Sequence, residues 1–146
     1  MESNIDIKLI DCSSEQYKQE LLLRDKILRK PLGLNLFEQD LTGEANDFHI
    51  GLYSNDMLIG VLVLSRMNDI EIKMRQVAVD DTCRNKGFGT KLVMYAEDFA
   101  RQLGYKKIVL NSRKTAINFY EKLGYIIVSD EFIDVTIPHY KMQKVL

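Results

Sequence analysis

Val79-Asp80-Asp81-Thr82-Cys83-Arg84-Asn85-Lys86-Gly87-Phe88-Gly89-Thr90-Lys91-Leu92 reads VDDTCRNKGFGTKL. An apolar run ends at Val79, a polar loop follows, two glycines flank one aromatic, and an amphipathic pattern begins. A strand, a glycine-rich turn and a helix in this order make an anion site. The first turn of a helix has unpaired N–H groups, and the helix dipole favours negative charge there. Glycine lets the backbone approach an oxygen closely and adopt positive φ. Arg84, Lys86 and Lys91 add positive charge at the same spot. Local sequence alone leaves two readings open: a phosphate grip, or a plain glycine turn ahead of a helix.

Two phosphate motifs are rejected at once. A P-loop requires GxxxxGK[ST], but Thr90-Lys91 follows Gly89 and no glycine stands five positions earlier. A dinucleotide fingerprint requires GxGxxG, and the third position here is Leu92. Nucleotide hydrolysis and hydride transfer lose their usual support.

Outward from the loop, the patterns alternate between strand and helix. Ile5 to Leu9 alternates as a half-buried strand. Ser13 or Ser14 is placed to cap a helix, with Gln16 as capping-box partner to Ser13, and that helix should end before Pro31. Phe48 to Tyr53 and Met57 to Ser65 form a hairpin around Ser54-Asn55-Asp56. Ile70 to Val79 is a third strand. Strict alternation puts Ile70, Ile72, Met74, Gln76 and Ala78 on one face, and Glu71, Lys73, Arg75, Val77 and Val79 on the other. Leu92, Val93, Ala96, Phe99, Ala100 and Leu103 recur at helical spacing, with Gly104 as the stop. Lys107 to Leu110 is a strand, Thr115 to Leu123 a helix closed by Gly124, and three short segments after it supply the last strands. The expected fold is α/β, a mixed sheet with helices on its faces, in a single domain over residues 1–146.

Composition narrows the function classes. With 20 Lys plus Arg against 21 Asp plus Glu, the net charge of −1 argues against a domain built to coat nucleic acid. Cys12 and Cys83 are 71 positions apart without ligand spacing, so no metal site is expected. His49 and His139 are likewise read as structural. The N-terminal residues carry no signal-peptide pattern and no apolar run approaches 18 residues, so the expected setting is cytoplasmic, without membrane contact.

R-x-x-G-x-G with these surroundings resembles the GNAT superfamily of acyl-CoA-dependent N-acetyltransferases. The residues that carry the likeness are Gln76-Val77-Ala78-Val79 with the loop Arg84 to Gly89 and Leu92, and then Ala116-Ile117-Asn118-Phe119-Tyr120-Glu121-Lys122-Leu123-Gly124-Tyr125. They span residues 76–125, about a third of the chain. The second block looks like the family's AxxFYxKLGF/Y helix. The resemblance implies a central, mostly antiparallel sheet flanked by helices, with acetyl-CoA as cosubstrate.

It also implies roles. Arg84, Asn85, Lys86, Gly87, Phe88, Gly89 and Thr90 would bind the coenzyme A pyrophosphate, through N–H groups from Lys86 to Thr90 and the charge of Arg84. The strand Val77-Ala78-Val79 would lie beside the pantetheine arm, with backbone groups of Val77 and Val79 pairing to it. Tyr120 would donate a proton to the leaving thiolate, since a phenol with pKa about 10 stays protonated at neutral pH. The base is left open between Glu71 and water: family members use either a carboxylate on this strand or a water relay, position 73 is a lysine, and Glu71 stands two residues earlier on the same face. Many family members have Asn where this chain has Arg113, so Asn111 or Arg113 would contact the pantetheine arm. Arg24 or Arg29 either hold an acceptor carboxylate or form a solvated helix face, and the sequence favours the solvated face. The acceptor is an amine of a small molecule or a protein; the late strands commonly pair between subunits in that family, so the resemblance allows a homodimer and leaves the oligomeric state open. A non-catalytic acyl-CoA-binding module on the same fold is the alternative.

Overall fold

The computed structural model describes residues 4–83 and 85–146. β1 (Ile5–Ile10), β2 (Phe48–Ser54), β3 (Met57–Arg66) and β4 (Glu71–Val79) form an antiparallel meander. The β2–β3 hairpin closes on Asn55 and Asp56, both at positive φ (51° and 68°). Such a turn matches the right-handed twist of its strands, and Asn and Asp tolerate it best after glycine. β5 (Lys107–Arg113) joins β4 in the only parallel pairing among the described residues. β8 (Ile137–Val145) adds antiparallel to β5 and carries both β6 (Ile126–Ile127) and β7 (Phe132–Asp134). The sheet order is β1-β2-β3-β4-β5-β8-β6, the expected mixed and mostly antiparallel layer.

α2 (Phe88–Gln102) and α3 (Ile117–Lys122) cover one face. Leu92, Val93, Ala96 and Ala100 of α2 are fully buried against Leu62, Leu64 and Ile72 of the sheet. Each fully buried Leu, Ile or Val of this layer contributes about 1.5–3 kcal/mol. α1 (Glu15–Arg24) covers the other face, where Leu23 meets Ile10, Val61 and Ala78. No helix of the described residues is long and apolar enough to cross a membrane.

Three local expectations are corrected. The Ser13–Gln16 capping box does not form, because Asp11 competes for the donors. Ser13 N–H and Oγ both donate to Asp11 Oδ1 at 2.8 Å, and Ser14 Oγ donates to the Asp11 carbonyl at 2.6 Å. α1 does end before Pro31, but the helical path does not. It widens into a π-helical turn over Asp25–Arg29 and then tightens into a 3₁₀ turn over Lys30–Leu32 that contains Pro31. Proline is tolerated there because the first turn needs no N–H donor.

The third correction concerns β4. Gln76 adopts φ +56°, and the pairing with β3 jumps from Val63↔Arg75 to Val61↔Ala78. Two residues of β3 are spanned by three of β4, so β4 carries a bulge. Alternation therefore reverses at Gln76. Ile72 and Met74 share the α2 face with Val77 and Val79, while Ala78 packs with α1. Glu71, Lys73 and Arg75 are not on the face of Val77 and Val79.

Candidate active site

β4 and β5 are paired only from Glu71↔Lys107 to Met74↔Leu110. Beyond that point β4 runs on through its bulge to Val79, and β5, paired to β8 along its other edge throughout, continues to Arg113. The two strands part, and a cavity of about 580 Å³ opens where they separate. Its walls come from the strand ends (Val77, Leu110, Asn111), from Ala116 and Tyr120, from Leu28 and Arg29 of the π turn, and from the β7–β8 hairpin. This size suits a small organic ligand. A split in the middle of a sheet leaves facing backbone edges without strand partners, and unpaired buried N–H and C=O groups need other hydrogen-bonding groups.

Tyr120 sits in this wall, and its position has a local cause. Gly124 has φ +96° and closes α3 in a Schellman turn: Tyr125 N–H donates to the Tyr120 carbonyl at 3.1 Å, and Gly124 N–H to the Glu121 carbonyl at 3.0 Å. The Tyr120 ring is wedged edge-on against Phe119 and Tyr125, at centroid distances of 5.0 and 5.7 Å. Tyr125 spends its hydroxyl on Glu97 Oε2 at 2.9 Å. The Tyr120 hydroxyl has no hydrogen-bond partner among the described residues. Burial raises its pKa well above the ordinary phenol value, against a smaller lowering by Arg113. It is a protonated, uncommitted donor.

The glycine loop lies at the other end of β4. Asp80 Oδ1 accepts from Thr82 N–H (3.0 Å) and Thr82 Oγ1 (2.9 Å), which folds the chain back toward α2. Gly87 caps α2 at φ +77°, with open space where a Cβ would stand. The first helical bond runs from Lys91 N–H to the Gly87 carbonyl (3.1 Å), so the amides of Phe88, Gly89 and Thr90 precede the hydrogen-bonded ladder. Phe88 is buried in the core and pins the helix start. A Cβ on Gly89 would come within 3.3 Å of the Phe119 ring, so the loop's helix and the Tyr120 helix meet here. Asn85 and Lys86 are exposed. Arg84 lies outside the described residues.

Of the expected strand residues, Val77 lines the cavity, Val79 packs beside Gly89, and Ala78 is buried on the opposite face. Asn111 and Arg113 both line the cavity. Arg113 Nη2 donates to the Leu28 carbonyl at 2.8 Å, satisfying an acceptor near the end of the helical segment. Glu71 is not brought in. It starts β4 opposite Lys107, accepts from Asn68 Nδ2 at 3.3 Å, and lies outside the cavity lining.

Lys73 and Arg75 had no binding role in the sequence reading, yet both line the cavity. Among the described residues Arg29, Lys73, Arg75 and Arg113 supply four cations to it, against one carboxylate, Asp134. Arg29 is only 6% exposed, which corrects the expected solvated helix face. Its Nε donates to Gln39 Oε1 (3.1 Å) and its Nη2 to Gln76 Oε1 (3.3 Å). Burial holds the pKa of Arg29 below its ordinary value, with Arg24 and Arg113 adding to the effect. Lys73 is lowered by burial and by Arg75. His139 is buried, its Nδ1 2.9 Å from the Ile137 carbonyl and its ring stacked on Phe132. Asp134 is followed by Val135 and Thr136 at φ +48° and +70°. Two β-branched residues in the left-handed region are strained, and this strain is held at the rim of the cavity.

Arg24 also departs from the expected solvated face: it is buried in a separate charge cluster. Its Nη1 donates to Glu20 Oε2 (2.8 Å) and Glu44 Oε1 (2.6 Å), and its Nη2 to Glu44 Oε2 (2.9 Å). His49 Nδ1 lies 2.8 Å from Glu20 Oε2 and Nε2 lies 2.7 Å from the Glu44 carbonyl. Both neighbours only accept, so both ring nitrogens donate and the ring is an imidazolium. Burial alone would lower the His49 pKa; the hydrogen bond and charge of Glu20 outweigh it and raise the value. Glu20, Glu44 and His49 have metal-like spacing, but the Arg24 guanidinium already faces both carboxylates.

The profile of the Acetyltransferase (GNAT) family matches residues 13–125. YjcF of Bacillus subtilis, an uncharacterized N-acetyltransferase, is 29% identical over 133 residues, covering 90% of this chain and 94% of its own. A Lactobacillus plantarum protein crystallised as a candidate N-acetyltransferase superposes with a TM-score of 0.85 at 24% identity, over 97% of this chain and 98% of its own. A GNAT family acetyltransferase from Elizabethkingia anophelis, solved with acetyl-CoA bound, superposes with a TM-score of 0.74 at 21% identity, over 98% and 99%. At these identities the solved structures speak to the fold, which is the one the two sequence blocks imply.

Proposed function

Since the chain belongs to the GNAT acetyltransferase family, we propose that it moves an acetyl group from acetyl-CoA directly to an amine, with both substrates bound together. The observation that carries this reading is the Tyr120 hydroxyl, protonated and without a hydrogen-bond partner among the described residues, in the wall of the cavity between β4 and β5.

The chain's residues divide the work. The first-turn amides of α2, behind the left-handed Gly87, receive the pyrophosphate, with the helix dipole behind them. The unpaired backbone of β4 beyond Met74, at Val77, meets the acyl arm and offers a donor for the developing oxyanion. One aligned donor of this kind is typically worth about 2.7–4 kcal/mol of barrier. The amine attacks the thioester carbonyl, the C–S bond breaks, Tyr120 gives its proton to the thiolate sulfur, and the proton lost by the new amide nitrogen returns through water to Tyr120. The acceptor must be neutral to attack. Glu71 stands outside the cavity, so it is replaced in this role by the cationic lining: positive neighbours disfavour an ammonium and lower the pKa of a bound amine, whose proton passes to water.

The test is release of free thiol from acetyl-CoA in the presence of a panel of amines, with Tyr120→Phe as the paired variant. Turnover that Tyr120→Phe cuts by about 100-fold supports the reading. Unchanged turnover removes Tyr120 from the mechanism. The position of Glu71 favours one second reading, an acyl-CoA-binding module without catalysis. Acetyl-CoA binding by calorimetry with no thiol release on any amine selects it.

A further inference from the structure

We propose that the acceptor amine carries an anionic group, a carboxylate or a phosphate, held in the cavity by Arg29, Lys73, Arg75 and Arg113. The inference rests on the acetyltransferase reading, because it takes the cationic part of the cavity as the acceptor side.

The charge balance of the cavity is the first observation. Among the described residues four cations face one carboxylate, in a chain whose net charge is −1. The excess is therefore local and is not inherited from composition. The second observation is how these cations are held. Among the described residues none of the four forms an ion pair. Their partners are neutral: Arg29 meets the Gln39 and Gln76 amides, Arg113 the Leu28 carbonyl, and Arg75 the Ser65 hydroxyl at 3.5 Å. These contacts fix the guanidinium groups in place and leave their charge uncancelled. A half-buried cation without a counter-ion is unfavourable, and the cost is relieved when an anion enters. The lowered pKa values of Arg29, Lys73 and Arg113 express the same unrelieved burial.

The third observation separates this anion from the coenzyme. The pyrophosphate has its own donors at the start of α2, and no loop residue from Asn85 to Thr90 lines the cavity. Arg29 and Arg75 reach the cavity from the π turn and from β4, on the side of the sheet where α1 packs, while Tyr120 enters from the side of α2. A planar guanidinium takes a carboxylate or phosphate through two parallel hydrogen bonds, which gives orientation as well as affinity. Gln76 holds Arg29 from the bulge itself, so the irregularity that turns Val77 toward the α2 face also fixes one anion-binding fork. Among the described residues Asp134 is the single carboxylate of the lining, and it stands at the strained hairpin on the rim.

The test uses matched pairs of amines. Serine against serinamide reads the carboxylate, and O-phosphoethanolamine against ethanolamine reads the phosphate. Both pairs are measured for thiol release and, independently, by calorimetry on the chain saturated with coenzyme A. The expected result is a preference of about 100-fold for the anionic member of at least one pair, weakened by salt. Arg29→Gln and the more exposed Arg75→Gln should each shrink that preference at least tenfold. Equal binding of both members in both pairs overturns the proposal, as does a preference for the neutral member. It is also overturned if the two variants weaken acetyl-CoA itself, which would assign the cations to the coenzyme. Should anion preference persist in calorimetry while no amine is turned over, the anion site stands and the transferase reading falls.

Discussion

Arg24 and Arg29 belong to one continuous helical segment, yet they meet opposite fates. Arg24 is enclosed with Glu20, Glu44 and His49, two anions against a guanidinium and an imidazolium, and the charges cancel. Arg29 is enclosed with amides and with other cations, and its charge is carried into the cavity. Both are buried, so burial does not tell a structural ion from a ligand-directed one. The counter-ion does. A neutralised buried cluster holds α1 to β2 and to the 3₁₀ turn at Glu44–Asn46; an unneutralised one is completed from outside.

That contrast breaks if mutations in the two groups have the same effects. The largest effect is expected from Glu44→Gln. It removes half of the bidentate anchor of Arg24 and should cost about 3–5 kcal/mol of unfolding free energy in a denaturant titration. A loss below about 1 kcal/mol would mean that the cluster is not the structural member of the pair. Tyr120→Phe should do the reverse: turnover falls by about 100-fold, near 2.7 kcal/mol of barrier, while the unfolding midpoint barely moves, because the hydroxyl has no partner to lose among the described residues. Gly87→Ala is smaller and mixed. A side chain at φ +77° costs about 1–2 kcal/mol, and acetyl-CoA affinity measured by calorimetry should drop with it.

The smallest effect is a pH dependence. The folded pKa of His49 is raised above its ordinary value, so its contribution is full below about pH 6.5 and is lost as pH rises through the folded value. Stability should fall from pH 6.5 upward by at most about 1.4 kcal/mol per pH unit on this account. His49→Gln should flatten that slope relative to the parent chain. An identical slope in both would place the titration elsewhere.

The parts of the molecule that depend on neighbouring residues were legible from sequence. The hairpin at Asn55-Asp56, α2 with its stop at Gly104, and the Tyr120 helix with its stop at Gly124 all follow from local chemistry. So does the glycine loop. The bulge was not legible, because a glutamine rather than a glycine takes the left-handed position, and nothing around Gln76 announces it. The two arginines were misread for a related reason. Glu20 at i−4 is visible from Arg24, but Glu44 and His49 arrive from distant turns and strands, and without them a helical arginine looks solvated. Lys73 and Arg75 did leave a trace, two cations on one strand face. Their meaning appeared only when Arg29 and Arg113 converged on the same space. Glu71 lies outside the cavity lining because it sits at the start of β4, where that strand is still paired to β5, a limit that no local pattern sets.

The extra residue at Gln76 acts as a change of parity. Upstream of it even-numbered side chains of β4 face α2; downstream the odd-numbered ones do. The two halves of the strand are thus read in different frames, and each is free to vary within its own. Deleting Gln76 would restore regular alternation with Val77 and Val79 still facing α2, and would remove both the bend and the amide that holds Arg29. Inserting a second extra residue here would instead turn Val77 and Val79 to the other side of the sheet.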